Sequence, residues 1–231
     1  LSYTSYANGE RALYLEGRIN YDRLFGKHRV GALFLYNQRN YQVAAGSSIG
    51  ALPYRDQGLA GRVTYSYDDR YFIEGNFGYN GSENFASGNR FGFFPAGAIG
   101  WIVSNEKFMG GVTHIIDMLK LKASIGQSGN DEIGGGRRFV YLPTIVGAYG
   151  TYWGTSHTYT GGTAVGEYAN EDVSWEVSTK TNVGFELSLF NALRLQADYF
   201  YERRKGIFVQ RQSLPDYVGV STMPWSNVGK M

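Results

Sequence analysis

The 231-residue sequence contains no cysteine. That excludes a disulfide framework and thiolate metal sites, and it leaves the compartment open. Proline is scarce, at 5 residues. Excess charge is missing too: the formal net charge is +2. With no basic patch and no recognition helix, nothing favours a nucleic-acid partner. No apolar run of about eighteen residues exists, so no transmembrane helix is expected. The first residues, "LSYTSYANGERALYLEG", lack the charged-then-apolar order of a signal peptide. The last, "WSNVGKM", read as loop. Both ends read as cut.

What is present is glycine (32 residues), tyrosine (19) and an aromatic content of 16%. That mixture suits long strands joined by glycine-containing loops, not helices. The mean hydropathy of −0.30 does not exclude a membrane protein. A barrel strand shows lipid only at every second residue.

A period of two runs through most of the chain. Leu13, Leu15, Gly17, Ile19 and Tyr21 alternate with Tyr14, Glu16, Arg18, Asn20 and Asp22. "HRVGALFLYNQRNY" is a strand apolar on both parities near its middle, and Val30, Ala32, Phe34 and Tyr36 are taken as its outer face. Leu59, Gly61, Val63, Tyr65 and Tyr67 share one parity, and after "DDR" so do Tyr71, Ile73, Gly75, Phe77 and Tyr79. "RFGFFPAGAIGWIVSNE" is apolar on both faces, with an irregular start at Pro95. "MGGVTHIIDMLK" reads as either a short helix or a connector. Leu119, Leu121, Ala123 and Ile125 restore alternation, and residues 128–172 show little pattern. The last hairpin places Trp175, Val177, Val183, Phe185 and Leu187, then Leu193, Leu195, Ala197, Tyr199 and Tyr201, on its apolar parity.

The reading is therefore all-β: about eight antiparallel strands, the clear ones about nine to fifteen residues long, against an ordinary mean of about five or six. About nine to eleven tilted residues cross a bilayer. Short turns ("DDR", "FNA", "RLFGK") alternate with long polar loops, as in outer-membrane barrels. Aromatics collect at both strand ends. Tyr21, Tyr67, Tyr71 and Trp101 lie toward the short turns, and Tyr79, Trp175, Tyr199 and Tyr201 toward the long loops. Two such belts are expected at the two headgroup interfaces.

The assigned apolar parities carry no charge, whereas the opposite parities hold Glu16, Arg18, Arg62, Glu74, Lys120, Lys122, Glu176, Lys180, Glu186, Arg194 and Asp198. A Lys or Arg facing lipid at the midplane costs about 2–4 kcal/mol. A dry interior would have to desolvate those charges, whereas a wide wet lumen would not. The competing reading is a soluble sheet. It needs a second layer over the apolar face, and no segment offers one.

Several stretches resemble one family. "YLEGRINYDRLFGKHRVGALFLYNQ", "LPYRDQGLAGRVTYSYDDRYFIEGNFGYNGSENF", "RFGFFPAGAIGWIVSNE", "LKLKASIGQSGND", "WEVSTKTNVGFEL" and "LQADYFYERRKGIFVQR" are similar to SusC/RagA-type TonB-linked outer-membrane transporters. The resemblance is collinear over nearly the whole chain. It implies a barrel of about twenty-two strands, of which residues 1–231 form part of the C-terminal half. It also implies a Gram-negative, Bacteroidetes-like outer membrane and import of oligosaccharides or peptides energised through TonB. A SusD-like lipoprotein partner is implied as well. No plug-like domain, TonB box or aromatic-ended closing strand is recognisable in the sequence.

No catalytic motif emerges and no cofactor or metal is called for. "GGGRR" (134–138) lacks the strand–loop–helix context of a phosphate site and reads as a flexible loop. His28, His114 and His157 lack ligand spacing. "GNDE" (129–132) lacks the spacing of a calcium loop. Nothing places Glu74 with Glu83, or Asp131 with Glu132, across a sugar. The loop "VGAYGTYWGTSHTYTGG" (146–162) is the candidate ligand contact. Tyr149, Tyr152, Trp153 and Tyr159 offer flat faces for sugar rings or peptide side chains. The plainer alternative is that these rings pack on the loop itself or on a lipoprotein. A soluble carbohydrate-binding β-sandwich or adhesin and a passive porin remain the alternative functions.

Overall fold

The computed structural model describes residues 9–44, 52–112, 114–134, 137–211, 215 and 223–231. Its strands are β1 (Glu10–Phe25), β2 (His28–Val43), β3 (Tyr54–Tyr67), β4 (Tyr71–Ser82), β5 (Phe91–Ile102), β6 (Ile116–Asn130), β7 (Ile145–Trp153), β8 (Thr158–Val165), β9 (Glu176–Leu189), β10 (Leu193–Gln210) and β11 (Trp225–Lys230). Nine form one antiparallel sheet in the order β1-β2-β3-β4-β5-β6-β9-β10-β11, and β7 and β8 pair separately. In the "MGGVTHIIDMLK" stretch, Met109 ends the second of two single-turn 3-10 helices, Val103–Asn105 and Lys107–Met109, and β6 begins at Ile116.

Two expectations need correction. Residues 128–172 are not all irregular, because β7 and β8 lie within them. The C-terminal "WSNVGK" is not loop: it pairs with the end of β10, with Gln210 opposite Trp225. The β10–β11 ladder is bulged between Lys205 and Phe208. Such a shift breaks the period of two that sequence reading depends on.

Register explains the alternation. Tyr21, Ala32, Val63, Gly75, Gly97, Ile125, Thr181 and Tyr201 are successive partners across eight strands. The next outward row runs Val30, Tyr65, Ile73, Ile99, Ala123, Val183 and Tyr199. A one-residue slip in any strand would move its whole apolar set to the other face. The same register places Val30, Ala32, Phe34 and Tyr36 on the face of Val63.

The turns follow their chemistry. Gly26 takes φ +61° between β1 and β2, and Asp68 and Asp69 take φ 52° and 51° between β3 and β4. Glycine and aspartate are among the residues that enter this region most readily. Lys27 reaches Asp68 at 3.1 Å, tying the two neighbouring turns together.

Among the described residues, no second layer covers the outward face. Val63, Ile73, Phe77, Val183 and Leu195 remain 56%, 55%, 36%, 53% and 52% exposed. Among the described residues, the buried apolar side chains are only Phe85, Phe94, Val103, Ile133 and Val173. A water-soluble sheet of this size would need far more. From the Tyr71–Trp101 row to the Gly81–Phe91 row is ten residue steps on β4. That is about 33 Å along the strand, or about 25 Å along the normal at a tilt of about 40°, the height of a barrel's apolar band.

The opposite face is polar, and several of its charges pair. Arg62 meets Glu74 at 2.7 Å, and Lys122 lies 3.1 Å from both Glu186 and Asp198. These side chains keep partial exposure, so a wet lumen carries most of their solvation.

Candidate functional site: the loop-side mouth

The long connections on one end of the sheet pack into a small core. Phe85, Ile133 and Val173 are buried together, with Val140, Trp175 and Phe208 against them. Their positions belong to three different connections and one strand, β10, so this core can form only once the sheet has brought those ends together.

Arg138 is the clasp of this mouth. It donates to the carbonyls of Leu52 and Pro53 at 2.8 Å each and to the Glu83 carboxylate. Its guanidinium lies 3.7 Å from the centre of the Tyr54 ring, and its side chain is only 4% exposed. Arg137 binds Glu167 at 2.9 Å and lies over Trp225 at 4.2 Å. The two arginines of "GGGRR", expected in a flexible loop, are thus fixed by contacts as far as residue 52. Those partners are remote in sequence, and no local signal announces them.

The β7–β8 hairpin stands on that base. The Thr144 hydroxyl accepts from the Glu167 amide at 2.8 Å, and Gly166 donates to the Thr144 carbonyl at 2.8 Å. Beyond these bonds the hairpin is largely exposed. Tyr152 is paired with Tyr159, their ring centres 5.2 Å apart, and the Tyr159 hydroxyl accepts from the Gly150 amide at 2.9 Å. Trp153 is paired with Thr158, so it points to the opposite face from Tyr152. Tyr149 lies in the register shift between Ala148 and Thr151 and is fully exposed. The four rings therefore do not make one platform. Tyr152 and Tyr159 make one, and Trp153 presents another.

The aromatics expected at the membrane interfaces are distributed as follows. His28, Tyr67, Tyr71 and Trp101 form a ladder across β2–β5, with centroid separations of 4.9, 6.4 and 6.3 Å. Glu106, in the β5–β6 connection, accepts from the Tyr71 hydroxyl at 2.5 Å and from the Trp101 indole at 3.2 Å, and pairs with Arg70 at 3.1 Å. These bonds, that from Tyr71 foremost, hold the Glu106 carboxyl below its ordinary range. Arg70 and then Lys27 do the same for Asp68. Tyr21 faces outward opposite Ala32. On the loop side, Tyr79 stacks on Phe91 at 5.1 Å. Tyr199 and Tyr201 are exposed on β10. Trp175 departs from the expectation. It sits on the loop core against Phe85 and Phe94, and its indole donates to the Arg90 carbonyl. It precedes β9, so the strand parity that assigned it does not apply there.

A depression of about 660 Å³ on the outward face lies between Tyr71, Trp101 and Leu121 on one side and Ile73, Ile99 and Val183 on the other. Its walls are mostly apolar side chains of the lipid-facing rows, so it belongs to the membrane surface.

An open, one-side-apolar sheet with a polar inner face and long loops at one end is the architecture of a barrel wall. A family model described as "TonB dependent receptor-like, beta-barrel" matches residues 2–231. The chain belongs to this TonB-dependent receptor β-barrel family. TonB-dependent receptor P3 of Formosa agariphila is 26% identical over 94% of the chain, which covers 23% of that protein. TonB-dependent receptor SusC of Bacteroides thetaiotaomicron is 29% identical over 74% of the chain and 17% of its own length. The chain thus spans less than a quarter of these relatives. Among solved structures, the RagAB peptide importer in its closed-closed state matches 96% of the chain and 26% of its own, with TM-score 0.74 and 18% identity. The siderophore receptor PirA of Pseudomonas aeruginosa matches with TM-score 0.55 and 14% identity. At those identities the structural matches establish the fold. The family match and the SusC relative place this TonB-dependent receptor segment in the outer membrane of a Bacteroidetes-like bacterium.

Proposed function

We propose that the whole protein imports oligosaccharides or peptides across the outer membrane, driven through TonB and working with a SusD-like surface lipoprotein. In that reading this segment supplies lipid-facing wall, lumen lining and part of the substrate mouth. One observation carries it: the family match over residues 2–231 falls on a sheet whose uncovered apolar rows face outward and whose ion pairs face inward. The peptide side of the substrate choice draws support from the fold of the RagAB peptide importer, the sugar side from the exposed tyrosines of β7–β8.

The test is uptake in cells carrying the intact gene. Labelled oligosaccharides and labelled peptides are supplied separately, with and without a functional TonB system. The proposal expects one class to accumulate, and accumulation to stop when TonB is lost. Uptake that persists without TonB would make the protein a passive porin and reject active import.

A further inference from the structure

Beyond the loop-side aromatic row the outward parity of the wall turns polar. Gln38 opposes Gln57 and Asn40 opposes Arg55. A cavity of about 320 Å³ opens at this level, within the size range of small-ligand sites, about 300–1,000 Å³. Arg55, Arg90, Gln57, Phe91, Phe139 and Tyr141 line it.

Charge decides what it takes. Asp56 and Glu83 also border the cavity, but Glu83 is held by Arg138. Among the described residues, Arg55 and Arg90 form no ion pair, and Arg90 Nε is buried without an acceptor. Two guanidinium groups and one carboxylate, Asp56, thus share the lining without an ion pair, and Arg39 lies opposite Asp56 in the β2–β3 register. A buried donor left without an acceptor is unfavourable, and a guanidinium is shaped to give paired N–H groups to an oxyanion. Phe139 is held at φ 54° with Arg138 4.6 Å over its ring. A bulky residue in that conformation persists only where its surroundings impose it, so this wall of the cavity is preformed.

We propose that this cavity binds a single oxyanion group, a carboxylate, sulfate or phosphate, donated to by Arg90 and Arg55 and flanked by Phe91, Phe139 and Tyr141. Two sources carry such a group to this level: an anionic lipid of the adjoining leaflet, or an acidic ligand at the mouth. The inference reads binding alone and does not rest on the transport proposal.

The test uses the intact protein in nanodiscs. Calorimetry in phosphatidylcholine discs measures inorganic phosphate and glucuronate. Expected is binding that weakens at least about tenfold in Arg90→Gln and clearly in the rim variant Arg55→Gln, and that is unchanged in Lys180→Gln on the lumen face. Heat-modifiable gel migration checks that each variant is folded. Repeating the titration in discs containing phosphatidylglycerol separates the sources: glucuronate displaced by the lipid assigns the site to the leaflet, and glucuronate still bound assigns it to a soluble ligand. No binding by the wild-type protein, or equal binding by folded Arg55→Gln and Arg90→Gln variants, overturns the proposal.

Discussion

Replacing Val63 with arginine puts the outward face to a quantitative test. Val63 lies in the row with Gly75 and Gly97, near the middle of the apolar band, with its side chain more than half exposed. If water covered that face, an arginine there would cost almost nothing. If hydrocarbon covers it, the cost is about 2–4 kcal/mol, roughly a 30- to 1,000-fold shift in the folding equilibrium. Thr64 supplies the control, because it is the next residue, faces the lumen and pairs with Glu74. Thr64→Arg adds the same charge beside a carboxylate in a wet interior, at an expected cost under about 1 kcal/mol. The assay is the urea midpoint for unfolding of the intact protein from phosphatidylcholine vesicles, followed by tryptophan fluorescence. A large loss in Val63→Arg with little in Thr64→Arg is expected. Equal effects, or a harmless Val63→Arg, would mean that water rather than hydrocarbon covers that face.

Three further predictions follow from the mouth and the turns. Tyr152→Ala and Tyr159→Ala should each weaken ligand binding about two- to tenfold and act non-additively, since the two rings form one face. Trp153→Ala should act independently of both, and titrations of single and double variants decide this. Arg138→Ala should strand Glu83 and release three connections at a local cost of about 3 kcal/mol, seen as faster protease cleavage of the mouth loops while the barrel stays assembled. For Glu106, the lowered carboxyl sets the sign. Its stabilisation of the Tyr71–Trp101 ladder is fully present above the ordinary carboxylate range and is lost as pH falls through its lowered value. Trp101 fluorescence should show an acid transition that Glu106→Gln abolishes.

The wall was legible because its physics is local. Residues such as Val63 and Thr64 announce opposite faces through nothing more than neighbour chemistry and a period of two. Legibility failed where contacts are remote or the period breaks. The β7–β8 hairpin is rich in Gly, Thr and Tyr, whose alternation carries little apolar contrast. The partner of β11 sits across a bulge. Arg138 draws its meaning from Leu52, Pro53 and Glu83, and Glu106 from Tyr71 and Trp101. The division of Tyr152 from Trp153 was readable in principle from strand alternation, but only once residues 145–153 are known to be a strand.

The most direct measurement exploits the absence of cysteine from this stretch. Single cysteines at Val63, Ile73 and Val183, and at Thr64, Glu74 and Asn182, are spin-labelled in the intact protein in bilayers. Their collisions with oxygen and with a water-soluble nickel chelate are then compared. With lipid against the outward rows, the first three favour oxygen and the second three favour nickel. Nickel access at Val63, Ile73 and Val183 equal to that at their neighbours would contradict lipid contact there.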